Sequence, residues 1–248
     1  MAAVVAARLL LLALCSPLPV SADVYSITDA GFITECVNEH NNYRSATTPV
    51  ASNMFKMTWD EALAKSAKAW SKKCTFKHNS NLNKNGVVHP TFYPVGENLY
   101  ATTGSFNTKD AIKAWNSEVT NYDFDTNTCK KYSVCGHYTQ VVWENTYKVG
   151  CAVTSCPNGI KSSGLKGSAV VFVCNYAPAG NYAGRSPFAK GTTACSGCTT
   201  CSKKLCTDAT RDKQQQYPNW MPDFGAASIS LHDQLIFLIT IILIYILQ

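Results

Sequence analysis

"VCGHYTQVVWENTYKVGC", residues 134–151, sets His137 at the head of an aromatic and β-branched run fenced by cysteines. Residues 138–143 (YTQVVW) carry the side chains that favour strands, and a strand sends successive side chains to opposite faces. On that reading His137 stands where a strand begins. It could be a packed structural residue, a metal ligand or half of a catalytic pair, depending on what else in the chain can meet it.

Working outward, strands are predicted over 138–144, 150–155 and 169–176, the last being the run AVVFVCNY. Asp29 can cap a helix over 30–44 that lines up Phe32, Cys36, Val37 and His40. Thr58-Trp-Asp-Glu61 has the form of a capping box, and the stripe behind it is Leu63, Ala67, Trp70 and Cys74. Asn107-Thr-Lys-Asp110 opens a third helix, to about Tyr122. Residues 79–95, rich in Asn, Gly and Pro, read as a long loop, and 177–191 (APAGNYAGRSPFAKG) as a linker or wrapping segment. Helices and strands mix without a βαβ rhythm, which predicts an α+β layered domain.

The 248 residues suffice for one sizeable domain and a small appendage. The formal charge is +6 and no basic run exceeds two residues, so a nucleic-acid partner is not expected. Arg8, LLLLALC and then Val20-Ser21-Ala22 before Asp23 have the form of a secretory leader over residues 1–22. A secreted chain meets an oxidising compartment, where disulfides persist. Without Cys15 an odd set of cysteines remains (36, 74, 129, 135, 151, 156, 174, 195, 198, 201 and 206), so one is free or pairs with another chain.

At the other end, LIFLITIILIYIL (235–247) carries no charge. A spanning helix needs about 20 apolar residues and a basic flank, and this run has neither. The small residues Gly225, Ala226, Ala227 and Ser228, a brief polar spacer and the apolar tail fit a GPI-attachment signal, with a short membrane helix as the alternative. Either tethers the domain to the extracellular face of the cell membrane; a secreted soluble form is the third reading.

Glu118 shares a helical face with Trp115, Val119 and Tyr122, where a carboxylate is costly unless paired. An edge position in water is an equal reading. Glu97 lies in VGENLY between a glycine and an apolar pair, and His78 follows the second helix in CTFKHNS. Each of the four has a plain structural reading when taken singly. Together, two imidazoles and two carboxylates could hold a divalent metal, or a glutamate could act as base beside a histidine. Their spacing matches no local motif such as HExxH, so the residues alone leave the choice open.

GHYTQVVWENTYKVGCA (136–152) and FVCNYAPAGNY (172–182) resemble the two signatures of the CAP superfamily: cysteine-rich secretory, antigen 5 and pathogenesis-related 1 proteins. HNNYR (40–44), MTWDEALAKSAKAW (57–70), CTFKH (74–78) and GENLY (96–100) match further family segments in order. The FITECVNEHN start, the cysteine-clustered tail and the anchor are similar to the glioma pathogenesis-related group within it. The resemblance implies a three-layer α-β-α sandwich with a small disulfide-rich hinge. It implies a cleft of His78, Glu97, Glu118 and His137, with the two histidines as zinc contacts. It also implies the pairs Cys74–Cys156, Cys129–Cys135, Cys151–Cys174, Cys195–Cys201 and Cys198–Cys206, leaving Cys36 as a buried thiol. Spacing alone would equally suit an iron–sulfur or zinc ligand set at 195–206. The chain then divides into a leader (1–22), CAP domain (23–185), cysteine-rich hinge (186–207), polar stalk (208–228) and hydrophobic anchor (229–248).

Three functions follow as expectations. The first is a recognition module whose cleft holds zinc or another divalent cation weakly. QVVWENTYKVG (140–150) resembles the family's sterol-linked segment, so a sterol or fatty acid is an expected partner. Val142, Trp143 and Tyr147 could equally be sandwich filling. The second is a zinc-dependent hydrolase or protease in which Glu97 or Glu118 activates a metal-bound water; no serine or cysteine nucleophile is marked, and recognition ranks ahead of catalysis. The third is adhesive: loop 79–95 meets a cell-surface protein partner, as in sperm–egg or immune-type contacts.

Overall fold

A computed structural model describes residues 22–224. The leader, apart from its last residue, the anchor candidates Gly225, Ala226, Ala227 and Ser228, and the apolar tail lie outside the described residues. In chain order the elements are β1 (Ala22–Asp23), α1 (Ala30–Ser45), β2 (Thr58–Trp59), α2 (Glu61–Ser71), β3 (Gly96–Thr102) and α3 (Thr108–Ser117). A 3-10 turn (Glu118–Asn121) follows, then β4 (Tyr122–Asp123), β5 (Thr128–Cys129), α4 (Gly136–Val141), β6 (Lys148–Cys156), β7 (Ala169–Ala177), β8 (Cys201–Ser202) and β9 (Leu205–Cys206).

Side-chain caps set the helix starts. Asp29 accepts the Phe32 N–H at 2.7 Å and Asn107 accepts that of Asp110 at 3.1 Å. For α2 the cap is Asp60, which accepts the Leu63 N–H at 3.0 Å. The capping-box reading placed the start at Thr58; instead β2 holds Thr58 and Trp59 parallel to Lys148 and Val149.

The sheet runs β1–β6–β7–β3, with β2 also pairing on β6. β6 and β7 pair antiparallel from Lys148↔Ala177 to Cys156↔Ala169, and β3 pairs with β7 from Gly96↔Tyr176 to Thr102↔Val170. Alternation along the strands builds two cores. Val149, Cys151 and Val153 of β6, with Phe172, Cys174 and Tyr176 of β7, pack with Phe32, Trp115 and Tyr138 from α1, α3 and α4. Ala152, Val171 and Val173 pack with Ala67 and Trp70 of α2. β7 is buried along its whole length, which is why its sequence is apolar apart from Asn175. Helix α2 lies so close that a Cβ on Gly150 would stand 2.2 Å from the Ala64 nitrogen.

The strand expected over 138–144 does not form; residues 136–141 are helix α4. β-branched and aromatic content reports fit to a half-buried surface rather than a strand in itself. Here that surface is helical, burying Tyr138, Gln140 and Val141. The place beside β7 is taken by β3, a strand that the reading of GENLY did not include.

Five disulfides brace the domain: Cys74–Cys156, Cys129–Cys135, Cys151–Cys174, Cys195–Cys201 and Cys198–Cys206. Cys36 is free and buried, and burial pushes its thiol pKa well up. Among the described residues, no helix is long and apolar enough to cross a membrane.

Candidate functional site

The four residues singled out as a cleft form two imidazole–carboxylate pairs. His78, just beyond α2, places Nδ1 3.0 Å from Glu97 Oε1. His137, in the first turn of α4, places Nδ1 2.6 Å from Glu118 Oε1. Within each pair the carboxylate does more than face a ring. Glu118 Oε2 accepts the backbone N–H groups of His137 and Tyr138 at 3.0 and 3.1 Å. These are unpaired donors at the start of α4, where a negative charge is favoured. Cys135, at the N-cap position, contributes no side-chain bond, so the carboxylate of another element caps this helix.

Glu97 Oε1 accepts the Asn79 N–H at 2.9 Å as well as the His78 bond. Its side chain is 0% exposed while that of His78 is 61% exposed. Burial, offset in part by His78 and Asn79, raises the Glu97 pKa above the ordinary carboxylate value. The bond to Glu97 raises that of His78. Glu97 Oε2 and Asn79 Nδ2 are buried without partners, an expensive arrangement for polar atoms.

A buried chain of side chains joins both pairs to the core. His40 on α1 donates from Nδ1 to the Cys36 carbonyl at 2.7 Å, which leaves Nε2 to accept from the Tyr176 hydroxyl at 2.8 Å. That hydroxyl accepts from Asn98 Nδ2 at 3.3 Å, and the same Nδ2 donates to the His137 carbonyl at 3.1 Å. Asn98 is the neighbour of Glu97 on β3, so one residue step links the two pairs. Trp115 stacks on His137 at 6.2 Å and on Phe172 at 5.3 Å, with interplanar angles of 13° and 9°. Asn98 and Tyr176 were not picked out from sequence, although GENLY and FVCNY contain them. The available signal was a polar Asn inside an otherwise apolar strand segment, which must find partners once buried.

The donor types suit zinc, although among the described residues the four side chains stand as two separate pairs and no three of them bring ligand atoms within 4.8 Å of one another. Each histidine has one ring nitrogen held by a carboxylate, the usual outer support of a zinc-bound imidazole, and the other nitrogen is left for a ligand. The unpaired Glu97 Oε2 adds an acceptor. A different grouping, Cys195, Cys198 and Cys206, brings sulfurs within 4.8 Å. All three are in disulfides, and only a thiolate ligates a metal, so these sulfurs are not a zinc site.

Of the residues in the sterol-like segment, Val142 is fully buried and Trp143 is 5% exposed, both in the domain interior. The rim of Trp143 meets an open cavity of about 490 Å³ shared with Tyr122, Asn181, Tyr182 and Arg185. Tyr147 turns to Phe55 and Phe92. Loop 79–95 is anchored rather than free: Val88 and His89 are buried, and His89 Nε2 donates to Asp60 Oδ1 at 3.2 Å.

A sheet covered by helices on both faces, two carboxylate-held histidines and a disulfide framework together define the class of domain. A family profile described as "CAP: Cysteine-rich secretory protein family" matches residues 37–176, and the chain belongs to that family. It is 51% identical over 201 residues to GLIPR1-like protein 1 of Bos taurus, covering 79% of this chain and 80% of that protein. It is 45% identical over 203 residues to glioma pathogenesis-related protein 1 of Mus musculus, covering 78% and 73%. Among solved structures, "Crystal structure of NaASP2 with Zn2+" superposes with a TM-score of 0.55 at 26% identity, over 75% of this chain and 100% of that one.

Proposed function

We propose that the protein is a membrane-tethered recognition module whose paired His/Glu cleft holds a divalent cation, zinc being the best fit. The observation that carries this reading is the pairing itself: both imidazoles are clamped through Nδ1 by acidic side chains, which orients the remaining nitrogens for a ligand. His78 and His137 would hold the ion, with Glu97 and Glu118 behind them. Bound there, zinc would act as a Lewis acid toward an oxygen of whatever enters the cleft. A solved relative described with Zn2+ supports the choice of metal. The open cavity beside Trp143 supports a lipid partner such as a sterol or fatty acid. The apolar C-terminal run supports the tether, with the domain displayed to a cell-surface partner.

Recognition is favoured over hydrolysis because both candidate bases are already engaged, Glu97 by the His78 ring and the Asn79 N–H and Glu118 by the His137 ring and two N–H groups of α4. The test is metal content and calorimetric zinc titration of the purified protein beside His78→Ala, His137→Ala and the double variant, together with mass spectrometry of extracted lipid. Zinc uptake falling about 10-fold or more in each single variant is expected. Unchanged uptake in the double variant overturns the metal reading. Turnover of a peptide library that disappears in the double variant would replace recognition by hydrolysis.

A further inference from the structure

No acidic residue lies between Glu61 and Glu97, nor between Glu144 and Asp208. The fold brings these two acid-free segments together at the C-terminal end of α2. Cys74–Cys156 joins them, Lys161 N–H donates to the Cys74 carbonyl, and Phe76 N–H donates to the Lys161 carbonyl, both at 2.8 Å. Lys73, Lys77, Lys161 and Lys166 are exposed here, and Phe76 stands among them at 36% exposure. Of the acids near this face, Asp23 pairs with Lys68 and Lys72, and Glu97, beside Lys77 in the fold, is buried and held by His78 and the Asn79 N–H.

The same place is where the described chain ends. Phe224 packs edge-on against Trp70 at 6.0 Å, in an apolar cluster with Cys74, Ile160 and Leu165. Lys73 Nζ lies over both rings, 4.9 Å from Trp70 and 5.7 Å from Phe224. Only ten residues separate Phe224 from the apolar run that starts at Leu235, a reach of about 35 Å fully extended. Charges act across about 8 Å in physiological salt, so a basic face works on a membrane only if the chain brings it close.

We propose that this lysine face, with Phe76 at its centre and the exit of the chain at its edge, is a platform that rests on acidic phospholipid headgroups. The proposal rests on the tether reading and adds an orientation to it: α2 toward the bilayer, α1 and α3 away. Lysines near an anionic surface are attracted individually, and the aromatic ring suits the interface between water and lipid.

The test uses the full-length protein, as processed by an expressing cell, mixed with phosphatidylcholine vesicles with and without phosphatidylserine. Sedimentation with neutral vesicles reads the tether; lysine acetylation rates read the platform. With phosphatidylserine present, Lys77, Lys161 and Lys166 should acetylate about fivefold more slowly, and high salt should restore the rate. Lys113, on α3 in the opposite layer, should not change. Lys161→Glu with Lys166→Glu, both exposed and without side-chain contacts to the Trp70–Phe224 cluster, should abolish the protection of Lys77. If the protein stays free of neutral vesicles the tether reading fails. The platform is then judged by whether phosphatidylserine vesicles sediment it in a manner lost in the double variant. Equal acetylation on all faces, or protection by a sulfated glycan and not by phosphatidylserine, overturns the proposal.

Discussion

Arg44 shows how much of this fold is carried by single side chains. It is 1% exposed and makes no salt bridge among the described residues; its guanidinium donates instead to the carbonyls of Phe55, Val141, Trp143, Glu144 and Thr146, at 2.7–3.2 Å. Burial, with Arg211 nearby, lowers its pKa to about 9. The planar fork is what allows one residue to satisfy so many acceptors. Arg44→Lys keeps the charge but strands several carbonyls, and a loss of about 3–5 kcal/mol is expected in urea unfolding. His40 makes a second prediction, in pH. Burial lowers its pKa from 6.5 to about 4. The unfolded chain therefore binds a proton that the folded chain refuses between those values. Stability is complete above pH 6.5 and declines as pH falls toward 4, by roughly 3 kcal/mol from this residue. Unfolding free energies for the wild type and His40→Gln, compared from pH 7 to 4, should converge by that amount; parallel curves would count against it. Both residues were quoted in HNNYR, yet what each does depends on partners about a hundred positions away, which no local pattern encodes.

At the scale of elements, legibility followed whether local chemistry and tertiary environment agree. Helices α1 and α3 were readable because Asp29 and Asn107 are caps placed before periodic apolar stripes, and β7 because its first six residues, Ala169 to Cys174, are all apolar. β3 and α4 were misread because they carry the candidate site. In β3, Glu97 and Asn98 are polar and buried, so the strand lacks the alternation that announces strands. In α4 the signal for a helix start is Glu118, in another element. Glu118→Ala would leave the His137 and Tyr138 N–H groups and the His137 ring without their acceptor. A loss of about 1–2 kcal/mol is expected, the usual size of a lost cap, with faster amide exchange confined to α4. Glu118→Gln, which keeps an acceptor, should recover most of it; if both variants behave alike, the capping role is wrong. Zinc affinity should fall about 10–100-fold in the alanine variant, as for loss of a residue that orients a ligand.

At the scale of the whole molecule, the segment after the hinge is polar in composition but not detached. Lys148 Nζ, buried and lowered in pKa by desolvation, donates to the Lys213 carbonyl at 2.7 Å. Lys65 Nζ donates to the Tyr217 carbonyl at 2.6 Å. The Tyr217 hydroxyl reaches Asp60 Oδ2 at 3.3 Å, and its ring lies edge-on to His89 at 5.2 Å. Composition described this stretch correctly and its placement not at all, because Tyr217, Trp220 and Phe224 are too widely spaced to form a pattern. A chain ending at Asp208 would uncover Trp70 and His89 and remove partners from Lys148 and Asp60, two charged groups held in the interior. Several hydrogen bonds at about 1 kcal/mol each, with the aromatic burial, put the expected loss at about 3–5 kcal/mol. Thermal unfolding of chains ending at 224 and at 208 measures it, with a fall in Tm of several degrees expected for a domain of this size. Equal melting temperatures would mean that residues 209–224 are a free spacer. The proposed tether would then give the domain no fixed face toward a membrane.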